Sequence, residues 1–72
     1  MKKIKKIKIR VNGIVKSITD NYNMLDLVKN LKIPMKKVAI ELNQEIINKK
    51  NISKIILKEN DKIEIVHFIG GG

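Results

Sequence analysis

Several residue types are absent or rare in this chain of 72 residues. It has no cysteine, one histidine, one proline and two aromatic residues, Tyr22 and Phe68. Without cysteine, disulfides, thiolate metal sites and a cysteine nucleophile are excluded. A single histidine cannot build a histidine-based metal cluster within one chain. We therefore expect no bound metal and no cysteine-dependent catalysis.

Long apolar runs are also missing. No stretch approaches the roughly 20 residues that a membrane-spanning helix needs. The basic N-terminus lacks the uninterrupted apolar segment and small-residue cleavage site of a secretory signal, so we expect a cytoplasmic protein. A chain this short forms one domain that buries only roughly 60% of its unfolded surface. That leaves little room for an enclosed active site.

The formal net charge is +9, which raises the possibility of nucleic-acid binding. However, Lys (15), Ile (15) and Asn (8) make up more than half of the chain, and A/T-rich codons encode all three. Arginine-rich runs and interleaved aromatic residues, which single-strand binding modules use, are missing. The early basic cluster therefore indicates a solvated strand face: Lys2, Lys3, Lys5, Lys6, Lys8 and Arg10.

The first twenty residues predict a β-hairpin. Residues 7–11 alternate apolar and basic side chains, which is typical of a half-buried strand. Asn12-Gly13 follows, and this pair favours a type I′ turn because both positions need positive φ. Residues 14–18 form the returning strand.

One helix follows the hairpin. Met24, Leu27, Val28 and Leu31 recur at i, i+3, i+4 and i+7, which places them on one apolar face. Asn23 is the expected N-cap, with acidic Asp26 in the first turn. Pro34 disfavours helical geometry at the preceding residue and ends the helix.

The rest of the chain predicts short strands: 38–42, 45–47 and 62–68. We expect one helical turn within 48–54, a short strand or core segment at 55–57, and a turn at 59–61. One helix against a mixed sheet of four to five strands gives an α+β domain. The helix covers one face of the sheet, so the other face meets water or a partner.

The last strand leads into Gly70-Gly71-Gly72. We expect residues 1–69 to form the domain and 70–72 a flexible tail without side chains, able to thread a narrow channel. Alternation assigns Ile63 and Ile65 to the core, and Glu64, Val66 and Phe68 to the uncovered face. Val66 and Phe68 would then form an exposed apolar patch beside the tail, of the kind that often marks an interface. A bulge that returns Phe68 to the core is the alternative.

Other polar residues carry no catalytic pattern. His67 has no visible partner in the sequence, so we expect an ordinary residue at the sheet edge rather than a proton shuttle. Glu41, Glu45 and Glu64 lie on strands with lysine neighbours, which favours cross-strand charge pairs.

Three stretches resemble the ThiS-type sulfur carriers of thiamine thiazole synthesis, small proteins with the ubiquitin-like β-grasp fold. They are Val11-Asn12-Gly13, residues 38–47 and residues 57–72. The helix segment at 25–28 also fits. The family often has Asp-Gly-Asp where this chain has Glu59-Asn60-Asp61, and asparagine tolerates the same backbone geometry.

The resemblance implies a carrier rather than an enzyme. A ThiF-type adenylyltransferase would draw in Gly70 and Gly71 and adenylate the Gly72 carboxylate with ATP, and the carrier itself would bind no cofactor. Sulfur from a donor such as a cysteine desulfurase would displace AMP and give a thiocarboxylate. A ThiG-type thiazole synthase would then take the sulfur. We expect Val66, Phe68 and Ile69 to be the partner-binding residues.

Three alternatives stay open. The small subunit of molybdopterin synthase shares the fold, glycine tail and chemistry, but usually carries prolines before its terminal Gly-Gly, where this chain has Val66-His67-Phe68-Ile69. A basic nucleic-acid-binding module would show steeply salt-dependent binding. A protein modifier would conjugate to lysines through the same activation chemistry.

Overall fold

The computed structural model describes residues 5–67. Along the chain it contains β1 (Lys6–Val11), β2 (Ile14–Thr19), α1 (Met24–Leu31), a 3₁₀ turn (Met35–Lys37), β3 (Val38–Leu42), β4 (Glu45–Ile46), a second 3₁₀ segment (Lys49–Lys54) and β5 (Lys62–His67). The predicted strands, helix and polar helical turn are confirmed, apart from Ile47, which lies beyond the end of β4, and Phe68, which lies outside the described residues. The 3₁₀ turn before β3 is an addition.

The β1–β2 hairpin forms as the Asn-Gly pair predicts. Asn12 has φ 50° and Gly13 has φ 82°, so both central residues adopt the positive φ of a type I′ turn. The register runs from Val11 opposite Ile14 to Lys6 opposite Thr19. Paired residues share a face, which puts the alternating isoleucines of β1 on the side of the core.

The helix α1 begins and ends with local hydrogen bonds. The Asp26 amide donates to Asn23 Oδ1 (2.8 Å), and the Asn23 amide donates to Asp26 Oδ2 (3.0 Å), which completes a capping box. At the other end Lys32 adopts the left-handed conformation with φ 56°. The Ile33 amide then reaches back to the Val28 carbonyl at 3.2 Å. This reversal turns the chain after Leu31, ahead of the proline that was expected to end the helix.

The second half of the chain contains a further tight hairpin. Asn43 (φ 51°) and Gln44 (φ 74°) join β3 to β4, and β4 is one residue shorter than predicted. The segment at 55–57 makes only an isolated bridge, between Asn23 and Ile56, while Leu57 is buried. It is therefore a core segment rather than a strand.

The five strands form one mixed sheet in the order β2-β1-β5-β3-β4. β5 is central, parallel to β1 and antiparallel to β3. Every buried side chain in the described range is apolar, and these side chains lie between α1 and one face of the sheet. We call the opposite, uncovered face of the sheet the outer face. The α+β prediction, with one main helix on a mixed sheet, is confirmed.

Candidate functional site at the end of the central strand

The predicted site lies at the C-terminal end of β5, and the β1–β2 turn holds this end in place. The β1–β5 ladder stops at Val11 opposite Ile63. Beyond this point the side chain of Asn12, rather than the backbone of β1, pairs with the backbone of β5. The Ile65 amide donates to Asn12 Oδ1 at 2.7 Å, and Asn12 Nδ2 approaches the Ile65 carbonyl at 3.4 Å. The side-chain amide thus satisfies backbone groups of β5 for which β1 offers no strand partner.

A second asparagine holds the beginning of β5. The Lys62 amide donates to Asn43 Oδ1 at 2.9 Å, and Asn43 Nδ2 donates to Asp61 Oδ1 at 3.0 Å. Just before it, Asn60 has φ 71°, so asparagine does adopt the conformation expected for this turn. Both hairpin turns therefore contribute an asparagine that fixes the strand leading to the tail.

Val66 lies on the outer face, as its alternation predicts, and is 54% exposed. It pairs with Ala39 on β3, and the next strand, β4, adds Ile46, which is 76% exposed. We call Ala39, Ile46 and Val66 the tail-side patch. The other predicted site residues, Phe68, Ile69, Gly70, Gly71 and Gly72, lie outside the described residues. The functional roles of Val66 and of these five remain predictions.

Two carboxylates border the tail-side patch. Glu41 on β3 lies directly opposite Glu64 on β5, on the outer face. The expectation that these glutamates pair with lysines across strands is wrong for this pair, because the register matches them with each other. Glu45 is opposite Leu42. Like charges directly opposite repel each other, so the free protein presents an acidic pair beside apolar side chains.

The outer face of β1 carries a basic row. Lys6, Lys8 and Arg10 alternate along β1 and are exposed, and Arg10 lies opposite Lys62 of β5. Since β1 runs parallel to β5, this row extends from the start of β5 away from the tail. From β1 to β4, the outer face therefore has a cationic row far from the tail and an apolar and acidic part next to it.

His67 is exposed and ends β5, opposite Val38. β5 lies between β1 and β3, but its ladder with β1 ends at Ile63, so His67 has a paired strand on the β3 side only, in keeping with the expected place at the sheet edge. Within residues 5–67, no cluster of three histidine or acidic residues could hold a metal ion. In the same part of the chain, no helix has the length and apolar character to span a membrane.

An apolar groove opens on the helix side of the sheet at the same end of β5. It has a volume of about 380 Å³. Its walls come from the hairpin tip, the end of α1 and the end of β5. The lining residues are Val11, Asn12, Ile14, Val15, Lys16, Leu31, Ile33, Ile65 and His67. We call this the helix-side groove.

Sequence reasoning missed three features of the site. They are the pairing of Asn12 with Ile65, the register that sets Glu41 opposite Glu64, and the helix-side groove, and each joins residues that are far apart in the sequence. The turn signal at Asn12 was visible, but an Asn-Gly pair indicates only local backbone geometry. The register that brings the glutamates together depends on strand order.

Comparisons with known proteins agree on one family. The model of the ThiS family matches residues 9–72. The chain is 40% identical over 65 residues to the sulfur carrier protein ThiS of Bacillus subtilis, covering 89% of this chain and 98% of that protein. It superposes on the crystal structure of the thiamine biosynthesis protein ThiS from Geobacter metallireducens with a TM-score of 0.79 and 28% identity, covering 92% of this chain and all of that one.

A second kind of relative is much longer. The thiazole synthase of Magnetococcus marinus is 35% identical over 66 residues, which are 92% of this chain but 20% of that protein. The chain thus spans about a fifth of the length of this relative. Three findings agree: the family match covers most of the chain, the likeness to the Bacillus subtilis carrier extends over its full length, and the fold is shared. The chain belongs to the ThiS family.

Proposed function

We propose that this chain is a sulfur carrier for formation of the thiazole ring of thiamine. The observation that carries the proposal is the full-length likeness to the Bacillus subtilis carrier, together with a family match that extends through Gly72. The reactive group is the carboxylate of Gly72, which the proposal requires to be the free end of the chain. Gly70 and Gly71 would pass through the channel of an activating enzyme, where side chains would clash.

Activation follows from the chemistry of carboxylates. A carboxylate is a poor acyl donor until one oxygen becomes part of a good leaving group. A Gly72 oxygen would attack the α-phosphorus of ATP on a ThiF-type adenylyltransferase, release pyrophosphate and form an acyl-adenylate. Sulfide would then attack the acyl carbon, release AMP and give the thiocarboxylate directly. If a cysteine desulfurase supplies the sulfur as a persulfide, the outer sulfur would attack and release AMP, and a thiol reductant would then cleave the resulting acyl disulfide to the thiocarboxylate. ATP is used by the partner, and the carrier is a protein cosubstrate.

The long relatives support a ThiG-type thiazole synthase as the acceptor. In the Magnetococcus marinus protein, a segment like this chain occupies a fifth of a thiazole synthase. A carrier and an acceptor joined in one polypeptide would keep the sulfur donor at high effective concentration. We infer that the same pair of activities works here as separate or joined partners, in the cytoplasm.

The outer face offers a docking surface for these partners. The tail-side patch combines exposed apolar side chains with the Glu41–Glu64 pair, beside the strand that leads to the tail. Phe68 would enlarge this patch if the alternation of β5 continues. A partner that places a lysine or arginine between the two carboxylates would relieve their repulsion on binding. Val66 and Phe68 are the proposed apolar contacts.

The decisive experiment incubates the chain with MgATP, sulfide and a ThiF-type enzyme, and then measures its intact mass. Replacement of one oxygen by sulfur, localised to the terminal residue by fragmentation, is the expected result. Omission of ATP must abolish it. A variant with one residue appended after Gly72 is the matched control, since the fold is unchanged and the activated carboxylate is displaced. Undiminished incorporation of sulfur into that variant would refute the proposal.

Two further assays separate the alternatives. Rescue of a thiamine auxotroph, without rescue of a molybdenum-cofactor auxotroph, is expected for the thiazole carrier and excludes the molybdopterin alternative. The cationic row on the outer face predicts only weak nucleic-acid binding, which is lost at physiological salt. Tight binding that survives such salt would favour the nucleic-acid-binding module instead.

A further inference from the structure

The helix-side groove leaves apolar surface uncovered in the described part of the chain. Ile14, at the hairpin tip, is 72% exposed although it lies on the same sheet face as the core. Leu31 and Ile33, which follow one another around the left-handed Lys32, form the opposite wall. A groove of about 380 Å³ with apolar walls can accept an aliphatic side chain of this chain or of a partner.

The register of β5 places two alternate residues of its helix-side face in this groove. Ile65 is opposite Ile40 and His67 is opposite Val38, so both belong to the helix-side face, and both line the groove. In a strand, residues two apart share a face and lie about 6.6 Å apart. The next position of this series is 69, and the sequence places isoleucine there.

We propose that the side chain of Ile69 docks in the helix-side groove, against Ile14, Leu31 and Ile33. This assigns Ile69 a role different from that of Val66 and Phe68, which the same alternation places on the outer face. Ile69 is then a positioning residue that anchors the base of the tail on the domain. The glycines beyond it begin from a fixed point, and three residues reach at most about 11 Å when fully extended.

The anchor explains the composition of this end of the chain. An isoleucine directly before three glycines would let the groove hold the strand end, while the glycines bring no side chain of their own. Lys16 and His67 also line the groove, so a charged side chain and a polar side chain lie beside its apolar walls. A bulky apolar side chain covering Ile14 would also remove exposed surface that water solvates poorly.

The test uses the free protein, so it does not depend on the sulfur chemistry. Isoleucine δ1-methyl and leucine methyl labelling allows NOEs from Ile69 to be observed directly. We expect NOEs from the Ile69 methyl to Leu31 and Ile33. We also expect a heteronuclear ¹⁵N NOE that stays high at residue 69 and falls steeply by Gly71.

Two exposed isoleucines provide matched variants. Ile14→Ser alters the groove wall, and Ile46→Ser alters the outer face at a side chain of similar exposure, 76% against 72%. Ile14→Ser should shift the Ile69 methyl resonance towards its random-coil position and weaken its NOEs, whereas Ile46→Ser should leave both unchanged. Since both side chains are exposed, both variants should fold, which the dispersion of the core methyl resonances verifies.

Three results would overturn the proposal. They are a random-coil Ile69 methyl without groove NOEs in the wild type, NOEs from Ile69 to Val66 or Ile46 on the outer face, and intermolecular groove NOEs in a sample of mixed labelling. The last result would identify a second copy as the occupant. A failure of thiocarboxylation in the mass assay would not change these NMR results. The docking of Ile69 and the sulfur-carrier function can therefore be refuted independently of each other.

Discussion

Replacing Asn12 by glycine removes the amide that pairs with Ile65 and leaves a turn that can still form. Glycine adopts the positive φ of 50° found at this position without steric cost. The hydrogen bond at 2.7 Å from the Ile65 amide is lost, together with the longer contact at 3.4 Å to its carbonyl. Both are part-buried, so water replaces the side chain only incompletely.

The expected destabilisation is about 2 kcal/mol. A hydrogen bond removed so that a buried donor stays unsatisfied costs about 1–3 kcal/mol. Glycine adds about 0.4–1 kcal/mol by enlarging the conformational freedom of the unfolded chain. For a domain of this size, each kcal/mol lowers Tm by about 4–8 °C. Asn12→Asp keeps an acceptor for the Ile65 amide but no donor, so it should fall between the wild type and Asn12→Gly.

The assay combines thermal unfolding with hydrogen exchange at the Ile65 amide. Gln44→Gly is the control, because Gln44 also lies in a two-residue turn with positive φ (74°), so glycine there relieves backbone strain. It should change stability little, while Asn12→Gly should lower Tm and speed exchange at Ile65. Each kcal/mol of destabilisation corresponds to several degrees in Tm. If Asn12→Gly melts within about 2 °C of Gln44→Gly and the Ile65 amide stays protected from exchange, the proposed support of β5 by Asn12 is refuted.

Three further predictions concern charge, pH and the tail. Glu64→Gln should raise stability by about 0.2–1 kcal/mol, because it removes the repulsion from Glu41 across the strands; a lower midpoint in urea would contradict this. Burial, with a smaller contribution from Asp26, raises the pKa of Tyr22 above its ordinary value of 10.0. The unfolded chain therefore loses this proton first, so the stability that Tyr22 contributes is complete below about pH 10 and falls as pH rises through the folded pKa. Tyr22→Phe should flatten this part of the stability–pH curve, and an identical slope would contradict the assignment. Gly71→Ala should leave Tm unchanged but impair adenylation, as measured by pyrophosphate release; normal release would count against a close-fitting channel.

Local sequence signals predicted the elements well, because each one reports on nearby backbone geometry. The Asn12-Gly13 pair specified a turn with two positive φ values, and Asn23 with Asp26 specified the start of the helix. Alternation placed Val66 on the outer face. The glycine ending, with the strand before it, pointed to the family that the comparisons confirm.

The sequence by itself therefore determined the strands, the helix, the faces of β5 and the family motif. The tertiary structure alone decided that β5 is central and that Glu41 lies opposite Glu64. It also brought the Ile65 amide, 53 residues away in the sequence, to the side chain of Asn12. The same packing joined the hairpin tip to the end of α1 in one groove. The physical reason is that backbone preferences act over a few residues, whereas strand order and register arise from burial of the whole core.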